Sequence, residues 1–303
     1  MDRLRRKLKA VIVLGGQVRK TALSVAVNRA IMDLPIDTEK TVLDLWHDQF
    51  EGLAKTIGLP NLPVQIMTNK GSHHPTVGKQ SDCVTLEVKE DIADLRGTAG
   101  VLRDVMQDYD ETNLVLVVNG AQIMCEPLPL IARDLAAQES DVALVSHEDG
   151  TPSGAALIRC GTLTKISPIG YVDLKEQALP KIARHHRVNV VTRDTASGIP
   201  IRTLTDYIRV LRLHHQWQEG SERDDNVFAE DWQPTFGIVE PDAYVAPDAR
   251  VHDSVVLRGG RVEGGAVLVQ SVVCAGGTVR RNDMVTDQFV ASANSDPKTS
   301  EAG

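Results

Sequence analysis

Ser254-Val-Val-Leu-Arg-Gly-Gly-Arg-Val-Glu-Gly-Gly-Ala-Val-Leu-Val-Gln-Ser-Val-Val273 decides the fold of the C-terminal part of this chain. Aliphatic residues return in it at a spacing neither helices nor hairpins use. Upstream, Val239, Val245, Val251 and Leu257 are six apart; the register slips by one to Val262 and Leu268, and slips again to Val273, Val279 and Val285. Between 239 and 290 stand 13 valines and 6 glycines, with no helical period. A six-residue repeat with an aliphatic at each start and small or turn residues between is the signature of a β-solenoid. About three such repeats make one triangular coil, so residues 237–290 hold roughly three coils whose ends need cover. Val255, Val267, Val269 and Val272 fall between repeat starts, and outward-facing ones among them would offer flat surfaces for subunit contacts. The tail, residues 291–303, is small and polar and reads as disordered.

Upstream of the repeats, Glu219–Asp231 is a run of polar and charged residues, and the linker is placed at 219–236. Before it, Thr203–Trp217 has a helical period with Leu204, Tyr207, Ile208 and Leu211 on one face, and Thr203 with Asp206 has capping-box spacing. Residues 1–218 otherwise alternate strand-like runs with helical patterns. Ala10–Leu14, Leu62–Thr68, Leu114–Val118, Asp141–Val145 and Val188–Val191 are short apolar runs of the kind buried on both faces of a parallel sheet. Thr41–Leu53 and the stretch opened by Gly97-Thr98-Ala99-Gly100 are helical. The expectation is an α/β domain with a Rossmann-like, mostly parallel sheet, its ligand crevice at the carboxyl ends of the strands, followed by the solenoid.

Composition narrows the function classes. The chain has 303 residues, 33 Lys and Arg against 41 Asp and Glu, and a formal net charge of −8. Aromatic residues make up 4%, so a broad nucleic-acid surface with stacking platforms is not expected. No apolar run can span a bilayer, and five apolar residues after the basic opening Arg3–Lys9 are too few for a secretory signal. The cysteines at 83, 125, 160 and 274 lack metal spacing and read as reduced thiols of a cytoplasmic protein.

Taken in order, these parts resemble the sugar-1-phosphate nucleotidylyltransferases, the nucleotide-sugar pyrophosphorylases, over about residues 10–290. The solenoid ending is similar to that of ADP-glucose and GDP-mannose pyrophosphorylases, which implies a left-handed parallel β-helix. The family's Gly-Gly-x-Gly-Thr-Arg loop corresponds to Leu14-Gly15-Gly16-Gln17-Val18-Arg19-Lys20, and its Pro-Lys-Ala segment to Asn28-Arg29-Ala30. Glycines there let backbone approach phosphate, and Arg19, Lys20 and Arg29 would supply positive charge. Gly97-Thr98-Ala99 corresponds to the motif that approaches the base, and Asn119-Gly120 to the turn after the central strand. The resemblance thus implies a nucleotide site of Leu14, Gly15, Gly16, Arg19, Lys20, Arg29, Gly97, Thr98, Ala99, Asn119 and Gly120.

The same comparison exposes three departures. The family holds Mg²⁺ with an Asp after that turn and an Asp opening the later Asp-Ile-Gly-Thr pattern; here these positions are Ala121 and Pro200. The Glu-Lys-Pro segment that contacts the sugar phosphate is absent after the strand Asp141–Val145, where Val145–Ile158 passes directly to the next element. Nucleotidylyl transfer rests on metal and cation stabilisation of phosphate charge, so losses at three separate points favour a non-catalytic relative. That relative would bind a nucleotide or nucleotide-sugar, or act as a regulatory partner of an active subunit, in a homo-oligomer or hetero-oligomer. Two alternatives stay open: an active enzyme with an altered metal site, using Mg²⁺ with Asp194 or Asp110, and a hexapeptide-repeat acyltransferase with His252 as base.

Overall fold

The computed structural model describes residues 1–15, 20–79, 81–91, 96–167, 169–220 and 235–292. The chain divides into two compact units: one is Met1–Arg19, Ala30–Asp33 and Val42–Pro200, the other Lys20–Arg29, Leu34–Thr41 and Ile201–Gly303.

The first unit is built on a seven-stranded sheet. Its strands are β1 (Leu8–Leu14), β2 (Leu62–Thr68), β3 (Val84–Glu90), β4 (Leu114–Asn119), β6 (Val142–His147), β7 (Pro152–Arg159) and β8 (Val188–Arg193), ordered β3-β2-β1-β4-β7-β6-β8. The short β5 (Gln122–Met124) and β9 (Gly198–Pro200) form a separate antiparallel pair. All sheet neighbours are parallel except β7, which runs against β4 and β6. The five apolar runs read from the sequence are strands β1, β2, β4, β6 and β8. Ala10–Val13 of β1 are fully buried, as a strand with helices on both faces requires.

Helix α1 (Asp2–Lys7) precedes β1, and α2 (Ala22–Val27) belongs to the second unit. α3 (Val42–Ile57) buries Val42, Trp46, Phe50, Leu53 and Ile57, one face at helical spacing. α4 (Gly97–Met106) begins at the glycine the sequence marks, followed by α5 (Leu128–Ala137) and the short α6 (Leu179–Ile182).

In the second unit, α7 (Leu204–Gly220) opens on the predicted capping box: Thr203 Oγ1 accepts from the Asp206 amide at 3.1 Å, and Asp206 Oδ2 accepts from the Thr203 amide at 3.0 Å. Tyr207 is fully buried and donates its hydroxyl to Pro35 O at 2.6 Å. Burial holds that phenol well above its ordinary pKa, so it stays a donor. Of the expected linker 219–236, residues 221–234 lie outside the described residues, as do 293–303 of the expected tail.

The C-terminal strands form three parallel sheets. One runs β10 (Gly237–Val239), β13 (Ser254–Val256), β16 (Val272–Val273), β19 (Phe289–Val290); the second β11 (Tyr244–Val245), β14 (Arg261–Val262), β17 (Thr278–Val279); the third β12 (Arg250–His252), β15 (Val267–Val269), β18 (Met284–Thr286). This is a three-sided, β-helix-like end of three turns and the first strand of a fourth. Every strand pairs with the one 17 residues on: Gly237 with Ser254, Tyr244 with Arg261, Arg250 with Val267. The slip seen in the sequence is therefore regular. Steps of six, six and five carry the core from Val245 and Val251 to Val256, then to Val262, Leu268 and Val273, so Val256 takes the place the sequence reading gave to Leu257.

The five-residue step is a tight corner. Asp253, Gln270 and Asp287 stand at it, 17 apart, each with positive φ. Inside, Ser254 Oγ donates to His252 O (2.6 Å) and accepts from the Ser271 amide (3.0 Å), while Ser271 Oγ donates to Val269 O (2.7 Å) and accepts from the Gln288 amide (3.2 Å). Two fully buried hydroxyls are thereby satisfied.

The stripe Ile238, Val255, Val272 and Phe289 faces away from this core. Val255 and Val272 are nonetheless fully buried; α2 packs on β19, and Leu23 and Val27 of α2 are buried too. Of the four valines between repeat starts, Val255 and Val272 are thus covered, and Val267 and Val269 are half-buried. Arg29, just past α2, makes a two-pronged pair with Glu240, at 2.7 and 2.8 Å. Burial would raise the Glu240 pKa, but the Arg29 fork and the Arg258 amide outweigh it and hold the carboxyl below its usual value. Arg29→Ala should cost roughly 1–3 kcal/mol at neutral pH by urea unfolding. Because the Glu240 pKa is depressed in the folded state, the gap to the unsubstituted chain should close as pH falls below about 4.5.

Candidate functional site

The order of the large sheet reverses at β1, with β2 on one side and β4 on the other. Crevices of open α/β sheets lie outside the carboxyl ends of strands at such a switch point. Here β1 ends in Leu14-Gly15 and β4 in Asn119-Gly120. Leu14 is in register with Asn119, the Gly120 amide donates to Leu14 O at 3.0 Å, and the Gly15 amide donates to Met67 O at 2.9 Å. Met32 packs against both glycines: a Cβ on Gly15 would lie 3.6 Å from its sulfur, and one on Gly120 only 2.8 Å. The Gly120 turn has no room for a Cβ without a shift of Met32 or Val13, while at Gly15 the nearest obstacle is the Ile66 methyl at 3.0 Å.

The turn after β4 is fixed from below and within. Trp46 of α3 is buried, and its indole N–H points at two carbonyls, Gly120 O at 3.2 Å and Gln122 O at 2.9 Å. Asn119 Oδ1 accepts from the Ala121 amide at 3.0 Å, closing an Asx turn. β5 then pairs with β9, Gln122 opposite Pro200 and Ile123 opposite Ile199. Ala121 and Pro200, far apart in sequence, are thereby one residue from facing each other. The two positions where the resemblance calls for metal carboxylates lie at the adjoining ends of this strand pair, and both are apolar.

The buried groups beside them are neutral. Gln122 is 3% exposed, its carboxamide lying between Gly154 and Gly198, where added Cβ atoms would sit 3.1 and 3.4 Å from it. Gly154 has φ +80° and faces Asn119 across β4 and β7. Among the described residues, no group of three or more His, Cys, Asp or Glu could hold a metal ion. A hard dication needs oxygen ligands with carboxylate charge, so the residues at this edge do not fit Mg²⁺. Of the carboxylates considered as substitutes, Asp110 lies before the amino end of β4, the wrong end of the strand, holding Thr112 through its amide (2.8 Å) and hydroxyl (2.7 Å). Asp194 is exposed, just beyond β8. On the solenoid, His252 is also exposed.

The Gly97-Thr98-Ala99 segment is strapped to the protein's own backbone. The Ala99 amide donates to Val172 O at 3.0 Å and the Val172 amide to Arg96 O at 2.9 Å. Leu14, Met67, Ala99 and Val172 share one apolar cluster, so α4 starts on the same side as the β1 turn. Asp173 then caps the π-helical Leu174–Ala178, accepting from the Lys175 and Glu176 amides. The structure therefore brings Leu14, Gly15, Asn119 and Gly120 together, with Gly97, Thr98 and Ala99 beside the same cluster. Gly16 and Arg19 lie outside the described residues. Lys20 is exposed, and it and Arg29 belong to the second unit, where Arg29 is engaged by Glu240.

Trp46, Met32 and Gly154 were not legible as site residues. A tryptophan needs an acceptor for its N–H when buried, but the sequence gives no sign that the acceptors are the carbonyls of this turn.

Gly97 has φ +70°, and a Cβ there would lie 2.5 Å from Val172 O and 2.7 Å from its carbonyl carbon. Gly97→Ala should cost about 2 kcal/mol or more, read as a drop of roughly 4–8 °C in the thermal midpoint.

A scan against protein-family models finds none that matches, and a search of curated proteins finds no match either. Solved structures do match. HddC from Yersinia pseudotuberculosis is similar over 68% of this chain and 99% of its own, at 15% identity and TM-score 0.48; its complex with GMP-PN gives 68% and 99%, 14% and 0.47. A putative glucose-1-phosphate thymidylyltransferase from Bacillus anthracis, solved in complex with a sucrose, is similar over 68% of this chain and 95% of its own, at 12% identity and TM-score 0.50. The solenoid is too short to supply 68% of the chain. The likeness to the Bacillus anthracis protein therefore rests largely on the α/β part, which has a nucleotidyltransferase-like fold.

Proposed function

We propose that this chain is a divergent member of the sugar-1-phosphate nucleotidylyltransferase family that binds a nucleotide or nucleotide-sugar and does not catalyse nucleotidylyl transfer. One observation carries the reading. The β5–β9 pairing sets Pro200 opposite Gln122, next to Ala121, so the two positions where the family carries metal carboxylates lie on adjoining strand ends, and their side chains are those of alanine and proline. The frame of the site is kept while its charge is gone.

What remains suits binding. The turns at Gly15 and Gly120 present backbone without side chains at the switch point, and Asn119 adds a neutral amide group. The Gly15, Gly120 and Ala121 amides are given to Met67 O, Leu14 O and Asn119 Oδ1, so a ligand would meet the bare backbone surface of these turns and the side-chain N–H groups of Asn119 rather than the backbone amides. Transfer is another matter, because phosphate charge building in the transition state has to be met by metal and fixed cations. The Glu-Lys-Pro lysine of the family has no counterpart, since β6 and β7 are joined by a tight turn in which the His147 amide donates to Thr151 O at 2.8 Å.

Calorimetric titration with a panel of nucleoside triphosphates and nucleotide-sugars should give binding that is weak and changes little when a chelator removes Mg²⁺. Pyrophosphate exchange with the same panel and common sugar phosphates should stay at background, and Ala121→Asp with Pro200→Asp should not bring full activity. Robust turnover by the unsubstituted chain, or strictly Mg²⁺-dependent binding, overturns the reading.

A further inference from the structure

The large sheet has two edges, and only one is guarded. β3 ends the sheet on one side with Thr85, Glu87 and Lys89 at alternate positions, the last two ion-paired at 3.3 Å. Charges of this kind are how proteins keep an edge from pairing with another chain. β8 ends it on the other side with Val188-Asn-Val-Val-Thr-Arg193. It has no proline, lysine or bulge, and its pairing with β6 is regular over all six residues. Its one charge, Arg193, is turned to Glu126 (3.1 Å) and Asp134 (2.7 Å).

The backbone of β8 is half unused. Arg187 O accepts from the Val142 amide and Arg193 O from the Glu148 amide, so the odd-numbered residues point at β6. In a strand the neighbours alternate, so the N–H and C=O groups of Val188, Val190 and Thr192 point away from the sheet. No backbone hydrogen bond to them forms among the described residues beyond the β6 ladder. Val190 is 54% exposed and Thr192 is exposed.

The charges around the strand select the partner. Arg184, His185 and Arg187 are exposed at its amino end; Glu148, Asp149 and Asp194 are exposed at its carboxyl end. We infer that β8 pairs antiparallel with β8 of a second copy of this chain, joining two sheets edge to edge about a two-fold axis. Centring the pairing on Val190 opposite Val190 sets Val188 opposite Thr192 and uses every outward N–H and C=O group of both strands. It also lays the basic end of each β8 against the acidic end of the other. Arg187 falls opposite Arg193, whose charge Glu126 and Asp134 already balance. A parallel pairing would set basic end against basic end.

Sedimentation velocity of the full chain across a micromolar dilution series tests this. The unsubstituted chain should pass from dimer to monomer on dilution. Val190→Lys, a change at an exposed side chain, puts two lysines face to face on the axis and should raise the dissociation constant at least about tenfold. Asp194→Arg alone, which adds a cation where the other copy's Arg184, His185 and Arg187 lie, should weaken the dimer, and adding Arg187→Glu should restore it in part, a readout that misfolding cannot mimic. Amide exchange at Val188, Val190 and Thr192 should slow as concentration rises. A chain that stays monomeric throughout overturns the inference, and so does a dimer indifferent to Val190→Lys and to the charge reversals.

Discussion

One buried indole holds the candidate site in shape. Trp46 sends its single N–H to the carbonyls of Gly120 and Gln122, and so clamps α3 to the turn leaving β4. From that turn β5 sets off toward β9, and the meeting of residues 121 and 200 depends on its direction. Burying an indole leaves its N–H in need of an acceptor, and burying a turn leaves carbonyls in need of a donor; each solves the other's problem. The turn after β4 is thus held by contacts among neutral groups, the indole N–H and two backbone carbonyls, with no charged side chain taking part.

The fate of the cations follows the same logic. The resemblance sets Arg29 against a phosphate-binding lysine; in the structure its guanidinium is engaged by Glu240 in the second unit. A fork-shaped cation suits a carboxylate with two free oxygens. Glu240 is such a carboxylate, partly buried, and the pair fixes the segment after α2 to the first turn of the solenoid.

Much of the fold was legible because it is written in periodicity. The continuous apolar runs of β1 and β4, the helical face of α3 and the spaced valines of the solenoid each reflect burial, and burial leaves a pattern in sequence. The capping box of α7 was legible because two side chains three residues apart satisfy each other's backbone. β3 was missed because an edge strand alternates with charges, and β7 because Pro152-Ser-Gly opens it with residues that read as a turn. The positions of Ala121 and Pro200 were reached through a resemblance. Their proximity could not be, since it depends on a three-residue strand pair whose register is set by tertiary packing around Trp46. The assignment of α2 and α7 to the second unit was equally hidden, because contacts between distant segments leave no local period.

The seventeen-residue turn of the solenoid has a consequence for how such a chain can change over generations. Its core aliphatics, its positive-φ corner residues and its buried serines all recur on the same count, each satisfied by the copy in the next turn. Losing or gaining a single residue would throw every later layer out of step at once. Removing or duplicating one whole turn would leave each remaining layer with an equivalent neighbour. Length in this part of the protein is therefore quantised: a change by full turns keeps every layer matched to its neighbours, and a change by any other number does not.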